Sequence, residues 1–378
     1  MLESTVYQLL TGCPRMDQRN ARRRSLAGAL ATFAVALLAG CGPASNYKQS
    51  SLDPKSDFTS MIHSLFQVEY YLALAVFVLV EGALLYVILR FRGKAEDPEP
   101  EQVHGNTLVE VIWTAIPALI LAALAVPTVK TIFRTYEVPK GDALQVEVIG
   151  HQWWWEFRYP QYGLVTANEL HVPTGRTVSL RMITQDVLHS FWLPQLAAKR
   201  DVFQQRTSTL WFRTEKEGLY PGQCTEFCGL QHGRMAFQVM AQSPAGFEQY
   251  IAAMKASAPP AAPAASDSAK PTAMAGTTTT TLGATTIVAD TTQGAQLFMM
   301  KGCIGCHSLN ATKPMGVGPN LAGIGTRKYI AAGWLENTDQ NLARWIQHPQ
   351  DVKHGVIMPN LGLTDAEAQT LAAYLRQH

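Results

Sequence analysis

Cys224-Thr225-Glu226-Phe227-Cys228-Gly229-Leu230-Gln231-His232-Gly233-Arg234-Met235 is the stretch that decides how the rest of the 378-residue sequence is interpreted. It places two thiols, an imidazole and a thioether in one short run, and such soft ligands select copper or zinc over calcium or magnesium. A structural zinc site is the first alternative, but it normally uses thiolates and imidazoles only and leaves Met235 without a role. Two thiols four residues apart can also bridge two metal ions, which a single blue-copper cysteine cannot do.

The sequence on both sides of this run alternates with period two, which predicts half-buried strands. Apolar residues alternate with polar ones at 144–148 and again at 178–182, and Pro173-Thr174-Gly175 and Tyr220-Pro221-Gly222 indicate turns. We therefore expect an antiparallel β-sandwich or barrel over residues 141–250. The additional histidine that the metal set needs is available as His189, at an expected strand end.

Two apolar segments, 68–89 and 108–129, precede the β-region, and each is long enough to cross about 30 Å of hydrocarbon. They predict a transmembrane hairpin over 58–136. Basic residues in the intervening loop are consistent with a cytoplasmic position. Since the N-terminus is expected to be exported, the chain after the second segment should lie in the periplasm of a bacterial inner membrane. Two acidic residues, Glu69 and Glu81, interrupt the first segment, and for Glu81 we expect a carboxyl group that faces a partner helix.

The N-terminal 41 residues have the features of a secretory signal. Arg22-Arg23-Arg24 precedes a short apolar run that ends in Leu38-Ala39-Gly40-Cys41. The last four residues resemble a bacterial lipobox, which predicts that Cys41 is lipidated and becomes the mature N-terminus. Met16 then competes with Met1 as the start of translation. The alternative is an uncleaved signal anchor with an unmodified Cys41.

Composition limits the remaining possibilities. The formal net charge is +2, so nucleic acid is not expected as a partner, and 47% hydrophobic with 16% charged residues favours membrane spans. Four of the six cysteines form two tight pairs, which indicates two local sites rather than a disulfide framework. The sequence offers no constellation for acid–base or nucleophilic catalysis.

Residues 256–289 are rich in Ala, Pro, Ser and Thr, which predicts a flexible linker with a root-mean-square span of roughly 30 Å. Beyond it, Cys303-Ile304-Gly305-Cys306-His307 has the C-x-x-C-H spacing of haem c attachment, with His307 as an axial ligand. A thioredoxin-like pair is the alternative, but no βαβ pattern surrounds the motif. Met358 is the expected second axial ligand, and Met315 competes with it. Helical patterning, including a capping box at Thr364 and Glu367, predicts an all-α domain over 290–378.

The run 224–235 resembles the CuA loop of cytochrome c oxidase subunit II, and Asp186-Val187-Leu188-His189-Ser190-Phe191 resembles the upstream histidine motif of that family. The resemblance implies a cupredoxin-like domain that binds a mixed-valence copper pair. The implied ligands are His189, Cys224, Cys228, His232, Met235 and the backbone carbonyl of Glu226. The Glu226 carboxylate is also implied to reach a magnesium ion at the boundary with subunit I. Residues 290–378 resemble class I cytochromes c, with Gly318-Pro319-Asn320-Leu321 on the proximal side of the haem.

Two more segments resemble this family. Gly150-His151-Gln152-Trp153-Trp154-Trp155 resembles its aromatic signature, which implies that Trp153 is the ring at which electrons arrive. Glu110 matches the glutamate at the mouth of a proton path into subunit I. One departure concerns Val202 and the residues after it, where the family usually has a Pro-Gly turn.

The sequence thus predicts a multi-domain membrane protein with a two-helix hairpin, an all-β copper domain and an all-α cytochrome c domain. Its expected role is subunit II of a terminal respiratory oxidase, relaying electrons from an external cytochrome c or another one-electron donor. Subunits I and III and the lipid bilayer are the expected partners, and oxygen reduction with proton translocation would take place in subunit I. The alternatives are the electron-input subunit of a CuA-type nitric oxide reductase and a free-standing membrane electron carrier.

Overall fold

The computed structural model describes residues 42–93, 104–257, 291–314 and 317–378, with isolated residues 28, 32, 35, 98 and 102. The expected lipidation site Cys41, the alternative start Met16, nearly all of the expected linker and the competing ligand Met315 lie outside the described residues.

Two long helices form the N-terminal part of the described chain. Helix α1 (Asp57–Arg90) and helix α2 (Thr107–Tyr136) are each long and apolar enough to cross a membrane. Both extend beyond the expected spans. The first turn of α1 is fixed by a capping box between Ser56 and Thr59, and Phe58 in that turn is fully buried in the core of the β-domain. The first helix is therefore attached to the domain that follows the hairpin.

Ten strands make up the middle domain. They are β1 (Leu144–His151), β2 (Trp154–Tyr159), β3 (Leu164–Ala167), β4 (Glu169–Pro173), β5 (Val178–Thr184), β6 (His189–Trp192), β7 (Lys199–Val202), β8 (Ser208–Phe212), β9 (Gly218–Cys224) and β10 (Ala236–Gln242). They form two five-stranded sheets, in the orders β3-β2-β1-β5-β8 and β4-β10-β9-β6-β7. The two sheets enclose a continuous apolar core, as expected for a cupredoxin-like sandwich.

The expectation of a purely antiparallel domain was wrong, because β1 pairs with β5 and β4 pairs with β10 in parallel. The alternation of apolar residues at 144–148 and 178–182 correctly predicted strands there. Period-two alternation reports which face of a strand is buried and does not depend on the direction of the neighbouring strand, so it could not reveal these pairings.

The turn expected at Tyr220-Pro221-Gly222 is also wrong, since these residues lie within β9. Pro221 pairs with Gln238 of β10 on one side, whereas β6 on the other side pairs only with Gln223 and Cys224. Pro221 therefore lies where β9 has a neighbour on one side only, and a missing N–H is tolerated there. The departure from the family pattern at Val202 falls at the end of strand β7, opposite His189.

Helices dominate the C-terminal part of the chain. Helix α3 (Pro244–Ala256) closes the β-domain, and the next elements are α4 (Thr291–Met300), β11 (Tyr329–Ile330), β12 (Leu335–Glu336), α5 (Asp339–Gln347), α6 (Pro349–Val352) and α7 (Asp365–Leu375). The capping box at Thr364 and Glu367 is present at the start of α7, as predicted. One apolar face of α7 is buried against α4 and α5, and it consists of Ala368, Leu371, Ala372 and Leu375. A short ladder of β11 with β12 is the exception to the all-α expectation.

Candidate metal centre and haem pocket

The sheet register brings the separated parts of the metal site together. Cys224 ends β9 and pairs with Phe191 of β6, two residues beyond His189. The loop after Cys224 returns to the same place, because the Cys224 N–H donates to the Met235 carbonyl over 2.9 Å. A histidine 35 residues upstream is thus placed beside both ends of the loop.

The donor atoms of the loop converge on the two buried thiols. The Cys224 and Cys228 Sγ atoms are 3.7 Å apart. Each thiol has one imidazole beside it, with His189 Nδ1 3.8 Å from Cys224 Sγ and His232 Nδ1 3.7 Å from Cys228 Sγ. Met235 Sδ lies 3.8 Å from Cys228 Sγ, and the Glu226 carbonyl oxygen lies 3.4 Å from Cys224 Sγ.

Six donors exceed the four that a structural zinc ion takes in a tetrahedron. The arrangement has two central thiols flanked by one imidazole each, which fits two soft metal ions that share the sulfur atoms. The residues present therefore fit a dinuclear copper group.

The two thiols do not ionise alike without metal. Hydrogen bonding from Cys228 stabilises the thiolate and lowers the pKa of Cys224 to about 3. The same hydrogen bond, together with burial, raises the pKa of Cys228 far above its ordinary value. These opposite shifts favour Cys224 as the first of the two thiols to ionise. The binding of cations would stabilise the second thiolate.

Asp186 holds the ring of His189 in place, and sequence reasoning did not assign it a role. Its Oδ1 lies 2.8 Å from His189 Nε2, the nitrogen on the far side of the ring from Cys224. Burial opposes the charge on His189, but the hydrogen bonds to Asp186 and Cys224 outweigh it and raise the pKa of His189. A carboxylate that orients a metal-binding histidine is a common outer partner. The sequence feature that could have revealed this role is the position of Asp186, three residues before His189 in the quoted motif.

The tryptophan cluster connects the copper loop to the rest of the molecule. Trp153 Nε1 donates to the Cys228 carbonyl over 2.9 Å, and Gln152 Nε2 donates to the same oxygen over 2.7 Å. Trp153 and Trp155 belong to the main core, whereas Trp154 stacks on His151 with ring centroids 4.1 Å apart. Trp153 is thus the ring of the three that is hydrogen-bonded to a residue of the metal loop.

The attachment motif of the C-terminal domain opens onto a cavity. Cys303, Cys306 and His307 line this cavity together with Met358. Most other lining residues of the domain are apolar, and they include Phe298, Leu321, Ile324, Trp345, Ile346, Leu371 and Leu375. The wall towards the copper domain contains Trp153 and Trp154.

The surroundings of His307 suit an axial ligand. Its Nδ1 lies 2.8 Å from the Pro319 carbonyl, and burial lowers the pKa of His307, which favours the neutral ring. A Cβ at Gly318 would lie 2.7 Å from the His307 ring, so a side chain there would displace it. With a fixed imidazole, two cysteines, a methionine and apolar walls, the cavity fits a haem.

Glu110 is not brought near the copper loop. It lies in the first turn of α2, and the copper domain follows the other end of this helix. The 26 residues from Glu110 to Tyr136 correspond to roughly 40 Å of helix. Glu226 contributes its carbonyl to the metal loop, and its side chain is partly exposed.

A hairpin of membrane-spanning length, a cupredoxin-like domain with a cluster of six candidate metal donors and a domain with a haem-attachment motif together define a multi-domain redox membrane protein. Family models match in the same order. Residues 44–131 match the cytochrome c oxidase subunit II transmembrane domain, 163–242 match its periplasmic domain, and 291–378 match cytochrome c.

Cytochrome c oxidase subunit 2 of Alkalihalophilus pseudofirmus is 33% identical over 352 residues, which cover 91% of this chain and 94% of that protein. Cytochrome c oxidase subunit 2 of Bacillus sp. strain PS3 is 34% identical over 362 residues, which cover 90% of this chain and 93% of that protein. The crystal structure of the periplasmic domain of subunit II from Bradyrhizobium japonicum is 29% identical, covers 31% of this chain and 95% of that one, and has a TM-score of 0.30. The chain belongs to the cytochrome c oxidase subunit II family and carries a C-terminal cytochrome c domain.

Proposed function

We propose that this chain relays electrons into a terminal respiratory oxidase. It accepts them from an external cytochrome c or another one-electron donor at the cytochrome c domain. It delivers them through the copper domain to subunit I, where oxygen is reduced to water with proton translocation. The observation that carries the proposal is the shared cavity, whose walls include both the haem-attachment residues and Trp153, a ring hydrogen-bonded to the copper loop.

When bound, the copper pair and the haem each supply a one-electron carrier. His189, Cys224, Cys228, His232, Met235 and the carbonyl of Glu226 hold the copper pair in this proposal. Cys303 and Cys306 would attach the haem through thioethers, and His307 and Met358 would hold its iron. The apolar walls of the cavity exclude water from the haem. Trp153 fixes the position of the Cys228 carbonyl and presents its ring to the cavity.

The remaining roles rest on position and on family resemblance. The two helices anchor the chain in the bacterial inner membrane with both redox domains in the periplasm, and Cys41 is the lipidated N-terminus. Glu110, at the far end of α2 from the copper domain, lies at the mouth of the proton path into subunit I. The Glu226 carboxylate reaches magnesium at that subunit's boundary, and subunit III completes the complex. The relatives named cytochrome c oxidase subunit 2 favour this function over nitric oxide reduction.

The test compares two neighbouring rings in the purified oxidase. Trp153→Phe removes the hydrogen bond to the Cys228 carbonyl, and Trp154→Phe is the matched control, because both rings line the cavity but only Trp153 contacts the metal loop. We expect donor-driven oxygen consumption to fall sharply in Trp153→Phe, with the haem fully reduced in the steady state. Trp154→Phe should change it less. Equal oxygen consumption by both variants and the parent would contradict an electron path through Trp153.

A further inference from the structure

One residue of the copper loop makes two contacts with the haem domain. Arg234 lies between the proposed copper ligands His232 and Met235. Its Nη1 donates to the Val352 carbonyl over 2.8 Å. Its guanidinium carbon lies 4.4 Å from the centre of the Trp334 ring, which adds a cation–π contact.

The haem domain returns a contact to the same residue. Lys353, next to Val352, donates from Nζ to the Arg234 carbonyl over 2.9 Å and to the Ala331 carbonyl over 3.1 Å. The copper domain and the haem domain therefore each extend one basic side chain to the backbone of the other. These two contacts join positions 118 and 119 residues apart in the sequence.

The burial of Lys353 makes its two hydrogen bonds important. Lys353 is only 2% exposed. A buried amine is costly unless its hydrogen bonds are made, because it has left water. The Arg234 carbonyl of the copper domain accepts one of the two hydrogen bonds that this buried amine makes, and the Ala331 carbonyl of the haem domain accepts the other. Separation of the two domains would therefore remove one of its two acceptors.

Three backbone amides report whether the domains are together. Ala236 N–H donates to the Ala332 carbonyl over 3.0 Å, and Val165 N–H donates to the Ala311 carbonyl over 2.7 Å. Lys328 N–H donates to Glu169 Oε2 over 3.1 Å. Each of these bonds has one partner in the copper domain and one in the haem domain. Their protons exchange with solvent when the domains separate.

We propose that Arg234 and Lys353 form a reciprocal latch, called here the 234/353 latch, that keeps the haem domain docked on the copper loop. The latch deepens the proposed function and rests on it, because it sets how often the cavity wall that contains Trp153 faces the haem. Since Arg234 immediately precedes Met235, the latch also restrains the methionine end of the copper loop. Lys353 also lines the haem cavity, and in the latch it is a positioning residue that holds the copper loop against the haem domain.

The experiment uses the complete oxidase and the variant Lys353→Met, which keeps an unbranched side chain only one atom shorter but removes its hydrogen bonds. Lys313→Met is the control, because Lys313 is an exposed lysine of the same domain. At a pH high enough to keep the Lys353 amine neutral whether the domains are docked or separated, loss of its buried hydrogen bonds should lower hydrogen-exchange protection at the amides of Val165, Ala236 and Lys328 about 5- to 150-fold. Flash-induced electron transfer from the haem domain to the copper domain should slow in the same variant. Lys313→Met should match the parent in both measurements.

Arg234→Met gives a second, independent variant in case Lys353→Met folds poorly. It removes the guanidinium but keeps the carbonyl that accepts from Lys353. Both variants act on one latch, so we expect the double variant to lose less protection than the sum of the two single losses. Parent-level protection and parent-level transfer in both single variants would overturn the latch. Failure of the parent itself to pass electrons between the two domains would instead overturn the proposed function.

Discussion

Asp186 determines how His189 presents its ring to the copper loop. The carboxylate lies 2.8 Å from His189 Nε2 and also accepts from the Gln152 N–H over 2.6 Å. We predict that Asp186→Ala lowers the affinity for copper about 10- to 100-fold, because the ring loses its fixed orientation and part of its basicity. Competition with a copper chelator on the purified chain measures this.

Asp142→Ala is the control for that prediction, because Asp142 is exposed and pairs with Arg176. It should bind copper as tightly as the parent. Equal affinities for the parent and Asp186→Ala would contradict an orienting role for Asp186.

Functional residues could be predicted where they lie close together in the sequence. They could not be predicted where only the folded structure brings them together. The soft donors from Cys224 to Met235 form one run, so a metal site could be predicted with His189 as the additional histidine, and family resemblance added Trp153. The structure brings these donors together. Lys353 could not be singled out from the sequence, because its burial depends on a carbonyl 119 residues away. No local pattern contains that information.

At the scale of the elements, the first turn of α1 joins the hairpin to the copper domain. Phe58 is fully buried and packs edge-on against Trp211 in β8, with ring centroids 5.4 Å apart. We predict that Phe58→Ala lowers the free energy of opening at β8 by about 3–5 kcal/mol, because it leaves a cavity. Native-state hydrogen exchange of the β8 amides in the purified complex measures the change.

Phe66→Ala is the matched control, because Phe66 lies further along the same helix α1 and is exposed. It should leave exchange at β8 as it is in the parent. If the two variants behaved alike, the first turn of α1 would not hold the domain in place.

Element positions could be predicted better than their pairing. Alternation located β1 and β5, and the capping box located the start of α7. The parallel pairings were missed, because a strand's own pattern does not record its neighbour's direction. Pro221 was taken as a turn, because proline rarely occurs inside strands. Only the sheet shows that β9 lacks a second neighbour at that position.

At the scale of the whole molecule, docking should depend on pH through Lys353. Burial and the nearby charge of Arg234 lower the pKa of Lys353 from 10.5 to about 7 in the docked form. In a separated haem domain the pKa of the Lys353 amine would return towards its ordinary value of 10.5. At a pH between about 7 and 10.5, the separated form holds a proton on Lys353 that the docked form has lost. Docking therefore becomes more favourable as the pH rises through this range.

We therefore predict that intrinsic-rate-corrected protection of the Ala236 amide rises above pH 7, by up to about tenfold per pH unit, and is flat below it. The Lys353→Met variant should show no such rise. Protection that falls above pH 7 in the parent would contradict this linkage.

The most direct test of the central claim is low-temperature electron paramagnetic resonance of the purified full-length chain, loaded with copper and haem. The account predicts the hyperfine pattern of one unpaired electron shared by two copper nuclei, together with a low-spin haem signal. Cys228→Ser should lose the shared-electron pattern and keep the haem signal. A haem signal without any copper-pair pattern after full copper loading would contradict the account.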